Sequence, residues 1–102
     1  MSFGKFKNVK LVKFKEIDEV DLAFFEKSLE RFFQKVGPDA KLELYLKDYA
    51  KGGLRVQHEV KGTLYVGSKT FFSTSKGWKL FSVVSKVLSG LVKNFNKDSK
   101  KK

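Results

Sequence analysis

The sequence predicts a two-layer α+β sandwich: a four-stranded sheet with both helices on one face, in the order β-α-β-β-β-α. Two stretches with apolar residues at helical spacing supply the helices. Between them, two runs of strict alternation supply strands with one buried and one wet side. The chain has 102 residues, 41% of them hydrophobic and 11 of them phenylalanine. A domain of this size buries roughly 65% of its unfolded surface, enough for one core. One domain over residues 1–97 and a flexible basic tail over 98–102 are the expected organisation.

The first strand is expected from Val9 to Lys15, where Val9 and Leu11 alternate and then Val12 and Phe14 take up the other phase. Such a change of phase implies a bulge or a strand covered on both faces. Asp18 is a suitable helix N-cap, with Asp21 three positions on. Behind it Leu22, Phe25, Leu29, Phe32, Phe33 and Val36 recur at helical spacing, and Gly37-Pro38 ends the helix. Acids at its start and Lys35 near its end both suit the helix dipole.

Ala40 to Lys47 then alternates, with Leu42, Leu44 and Leu46 on one side and Lys41, Glu43, Tyr45 and Lys47 on the other. After a turn at Lys51-Gly52-Gly53, the residues Leu54, Val56, His58, Val60, Leu64 and Val66 share a face, interrupted only by Gly62. Arg55, Gln57, Glu59, Lys61, Thr63 and Tyr65 share the opposite one. Gly67-Ser68 closes a hairpin, and Lys69 to Thr74 returns as the fourth strand. A two-residue loop pairs Leu64 with Phe71 and puts Phe72 on the wet face; a three-residue loop exchanges the two phenylalanines. Both registers stand open on sequence alone. The last helix, capped by Ser75, runs from about Gly77 to Asn96. Its apolar side carries Leu80, Phe81, Val84, Val87, Leu88, Leu91, Val92 and Phe95, and the opposite side carries Lys79, Ser82, Lys86, Ser89, Lys93 and Lys97.

The composition excludes much chemistry. The absence of cysteine removes disulfide scaffolds, thiolate zinc sites and cysteine nucleophiles. The one histidine, His58, reads as a packed or edge residue. The carboxylates read as helix-start residues and surface partners for lysines. Gly52-Gly53 is a turn, without the pattern of a phosphate-cradling loop. Hence no enzyme, cofactor, metal or small-molecule substrate is expected. No apolar run approaches the ~18 residues of a membrane span, and the first residues lack the apolar stretch of a signal peptide. A cytoplasmic protein without a membrane partner is the expectation.

Charge is the strongest signal. The net charge of +11 is uneven: residues 1–15 carry +5, residues 16–48 carry −4 and residues 49–102 carry +10. Such polarity attracts polyanions from one side, nucleic acid first among them. An ordinary solvent face of a helix mixes signs, whereas no acid occurs between Ser75 and Lys97. Lys79, Lys86 and Lys93 stand seven apart, about 10 Å along a helix, a spacing suited to backbone phosphates. With Lys97, and with Arg55 and Lys61 from the sheet, they form the expected RNA-binding set. Contacts of this kind read shape, as in structured RNA, and carry no base code. Tyr45 and Tyr65 on the wet face have two readings, stacking of unpaired bases or cross-strand packing. Trp78 either anchors the last helix against the sheet or lies exposed as a contact.

The element order, the basic last helix and the stretch Lys86-Val87-Leu88-Ser89-Gly90-Leu91-Val92-Lys93 resemble the short, single-domain ribosome hibernation-promoting factors and ribosome-associated inhibitors. Lys86, Leu91 and Lys93 match that family's lysine, leucine and lysine near the end of the last helix. The sequence departs from it at Gly77-Trp78-Lys79, where the family has an acid and a tyrosine. The resemblance implies binding in the decoding channel of the small ribosomal subunit, where the protein blocks messenger and transfer RNA in starvation or stress. A monomer on the ribosome is favoured, with the oligomeric state left open by the sequence. Two competitors exist. Residues 18–97 also follow the order of a double-stranded RNA-binding domain. A basic amphipathic helix can also lie on anionic membrane, although here its apolar side is needed to cover the sheet.

Overall fold

The computed structural model describes residues 8–13, 19–37, 39–50, 53 and 56–99. The elements are β1 (Val9–Val12), α1 (Glu19–Val36), β2 (Lys41–Ala50), β3 (Val56–Val66), β4 (Lys69–Gly77) and α2 (Leu80–Ser99). The predicted order therefore holds. The strands lie side by side in sequence order, β1 parallel to β2 and the remaining pairs antiparallel. A parallel neighbour requires a crossover, which α1 provides; antiparallel neighbours need only the short returns that follow.

β1 is shorter than the expected Val9 to Lys15. It keeps a single alternation, with Val9 and Leu11 beside Leu42 and Leu44 on the covered face and Val12 beside Tyr45 on the open face. At Lys13 the backbone turns away with φ of 63°, so no bulge is needed among the described residues. Phe14, the Asp18 cap, Leu54 and Arg55 lie outside the described residues. Asn8 ties β1 to β2: its side-chain amide donates to the Ala40 carbonyl at 2.7 Å, and its own carbonyl accepts from the Leu42 amide at 2.9 Å. α1 ends where expected. Gly37, at φ of 105°, donates its N–H to the Phe33 carbonyl, in a conformation that costs glycine little and a side chain much.

The hairpin between β3 and β4 uses the two-residue loop. Leu64 faces Phe71, and Phe72 stands opposite Thr63 on the open face. Gly67 takes φ of 61° at the first central position, the type II′ requirement. The start of the last helix differs from expectation. β4 continues past Thr74 because its ladder with β3 continues, as far as Gly77 opposite His58. Ser75 is therefore a strand residue opposite Val60 and caps nothing. α2 begins at Leu80, with the Val83 N–H donating to the Lys79 carbonyl, and runs past Asn96 to Ser99.

The core is one cluster between the helices and one face of the sheet, built on Phe25, Leu29, Leu44, Leu64, Val87 and Leu91 with their neighbours. The helices meet through aromatic edges, Phe24 and Phe25 lying 5.5 and 5.9 Å from the Phe81 ring. α2 lies closest to β3 and the β4 edge. Gly62 and Gly90 leave room for this approach, because a Cβ at either would collide with Val87 or Ser73. Asn94 donates to the Phe72 carbonyl at 2.9 Å, and Lys69 pairs with Asp98. Beyond the core, His58 sits half-buried near the start of the inner strand β3, against Asp48 at 2.7 Å. Among the described residues no group of three or more His, Cys, Asp or Glu could hold a metal, and no helix is long and apolar enough to cross a membrane.

Candidate nucleic-acid interface

The core fixes the roll of α2 about its own axis. Val84, Val87 and Leu91 are buried against the sheet, so Lys86, Lys93 and Lys97 must face water on the opposite side. Lys79 is exposed as well, one residue ahead of the first helical turn. Among the described residues none of these four lysines has an ion-pair partner. The one acid of α2, Asp98, is committed to Lys69 on β4 and does not offset them.

Two features of this basic surface escape the sequence reading. Lys76 joins it because β4 is longer than predicted; its amine lies 3.8 Å from Glu59 Oε2 and 5.2 Å from the Tyr49 ring. A groove of about 160 Å³ also runs between the helices, with Ser28, Arg31 and Lys35 on one wall and Ser85 and Ser89 on the other. Arg31 and Lys35 were hidden by the net negative charge of their segment, although their spacing of four puts both on one helix face.

The open face of the sheet groups some of the expected residues and separates others. Lys61 stands directly across from Tyr45, while Tyr65 lies farther along β3 opposite Lys41. Lys13 holds its amine 5.4 Å from the centre of the Tyr45 ring. Its hydrogen bond to the phenol draws the Tyr45 pKa below the ordinary 10.0, and Lys47 and Lys61 add to the pull. The same bond raises Lys13 above its usual value. Tyr49, beyond the predicted strand end, donates to Glu59 at 3.0 Å and has the Lys47 amine 5.3 Å from its ring. Packing by lysines of the same sheet surface thus engages both tyrosines, whereas Phe72 projects at 67% exposure. Arg55 lies outside the described residues. For Tyr45 the expected result is a phenol titration, followed by ring NMR shifts, whose midpoint rises in Lys13→Gln. An unchanged midpoint would exclude the Lys13 contact in solution.

No protein-family model matches the chain, and no curated protein matches it. Solved structures do. The N-terminal domain of Protein Y from Thermus thermophilus superposes with a TM-score of 0.59 at 12% identity, over 88% of this chain and 94% of that one. A ribosomal subunit interface protein from Coxiella burnetii gives 0.62 at 9% identity, over 91% of this chain and 98% of that one. The chain shares the fold of both. At this level the resemblance read from the sequence is borne out, over 88 to 91% of the chain. This chain also carries the parallel β1 edge, a strand additional to the helix, three strands and helix that residues 18–97 offered by themselves.

Proposed function

We propose that the protein binds the small ribosomal subunit, docking on its RNA through the basic stripe of α2 and occluding the sites of messenger and transfer RNA. The observation that carries this reading is the stripe itself: Lys79, Lys86, Lys93 and Lys97, exposed and without acidic partners among the described residues. The fold it shares with a ribosomal subunit interface protein supports the choice of partner. Lys61 and Arg55 are assigned a secondary part from the sheet. The mechanism is steric and makes or breaks no bond. Ammonium groups held at fixed spacing replace counterions on the phosphates, and the folded body behind them fills space that other ligands need.

The test is co-sedimentation with purified small subunits across a salt series. With six or more phosphate contacts, affinity falls by ~10³ or more between 50 and 200 mM salt. Protein that stays at the top of the gradient at low salt would end the proposal. Equal affinity for a plain RNA duplex of about 16 bp would transfer the reading to general double-stranded RNA binding.

A further inference from the structure

Where β4 hands over to α2, strand and helix part around an open cleft of about 320 Å³. Lys76, Trp78, Lys79, Ser82 and Lys86 line it, with Val83 at its base. Trp78 is 47% exposed, the remainder of its ring being held against the protein. Trp78 thus combines the two roles the sequence left open, with part of the residue covered by the protein and part open to a ligand. Among the described residues no acid lines the cleft. The Lys76 amine is engaged by Glu59 and the Tyr49 ring. The Lys79 and Lys86 amines beside an indole are poorly suited to an apolar peptide, which would leave the ammonium groups desolvated. They are well suited to a nucleotide, which offers a flat π face for the indole and a phosphate for the lysines. The volume lies at the low end of the ~300–1,000 Å³ range of small-ligand pockets, room for one nucleotide.

We infer that this cleft takes one unpaired nucleotide of the bound RNA, its base stacked on Trp78 and its phosphate between Lys79 and Lys86. Ser82 is a hydroxyl donor for the same phosphate. The inference rests on the RNA-docking reading and adds to it a demand that the stripe alone does not make. Phosphate contacts accept a duplex, whereas an indole face needs a base already out of its stack.

Trp78 is the chain's one tryptophan, so intrinsic fluorescence reports on the cleft alone. The probes are a ten-nucleotide oligouridylate, a blunt RNA duplex and long-chain inorganic polyphosphate. The expected result is quenching by half or more with the single strand and little with duplex or polyphosphate at equal saturation. Trp78→Ala is expected to weaken single-strand binding by about tenfold or more, and Trp78→Phe by about threefold or less. Melting curves of both variants check that they fold. Quenching by polyphosphate equal to that by RNA, or parental affinity in Trp78→Ala, would overturn the inference. Small subunits that bind without any change in tryptophan emission would remove the cleft and leave the docking in place. Failure to bind subunits or any of the three probes would remove both.

Discussion

Reversing two charges, in Lys86→Glu/Lys93→Glu, is expected to weaken the proposed binding to small ribosomal subunits by roughly 60-fold at 0.1 M salt and to leave the melting temperature nearly unchanged. The first figure follows from counterion release, because each phosphate contact contributes a factor of roughly eight at that concentration. Two contacts multiply, and repulsion between the new carboxylates and the phosphates adds to the loss. The logarithmic salt slope also becomes shallower by about two, one for each lost contact. The second figure follows from position. Both lysines are exposed, neither has an ion-pair partner among the described residues, and changes at such sites usually stay within about 0.5 kcal/mol. Subunit binding at parental affinity with a parental salt slope would move the contact surface off α2. A lowered melting temperature alone would not produce the change in slope, so the two causes separate.

The stripe could be read from sequence because its signal is local. A helix with Val84, Val87 and Leu91 on one side has no freedom about where Lys86 and Lys93 go, and an acid-free run is visible without coordinates. Leu42, Leu44 and Leu46 in β2, with Val60 and Leu64 in β3, were legible for the same reason, since period-two alternation decides the face residue by residue. Features set by pairing were less accessible. The sequence around Gly67-Ser68 allowed two registers, and the choice that exposes Phe72 depends on the backbone angles of the turn. Ser75 has the chemistry of a helix cap, yet ladder bonds to β3 hold it in a strand, a case of tertiary pairing overriding local preference. That extension brings Lys76 and Trp78 to the same edge as Lys79. The cleft was therefore invisible to a reading that started the helix at Gly77.

The contact between β3 and α2 makes Gly62 a sensitive position of the sheet, and Gly62→Val is expected to lower stability by about 3 kcal/mol or more. In a domain of this size that lowers the melting temperature by more than about 10 °C. Glycine in a strand interior ordinarily favours replacement, by roughly 0.5–1 kcal/mol on entropy grounds. Here the sign reverses. A Cβ at Gly62 would stand 2.4 Å from Val87 Cγ1 and 3.1 Å from Leu91 Cδ1, against the 3.5–4.0 Å of an ordinary carbon contact. Leu91 Cδ1 is the end of a longer side chain and can give. Val87 is fully buried, and a valine in a helix has one strongly preferred χ1, so rotation offers it little relief. The helix must lift from the sheet, or the strand must bend.

Compensation across the contact distinguishes this account from general fragility of the strand. Val87→Ala alone opens a cavity and is expected to cost about 2 kcal/mol. In Gly62→Ala/Val87→Ala the methyl added on the strand enters space that the helix has vacated. The double variant is then expected to be more stable than the sum of the single changes by at least about 1 kcal/mol, measured by urea denaturation around the full cycle. Strictly additive effects would mean that α2 does not lie against Gly62 in solution. The roll of the helix that presents Lys86 and Lys93 would then lose its structural basis, because Val87 buried over Gly62 is one of the contacts that fix it.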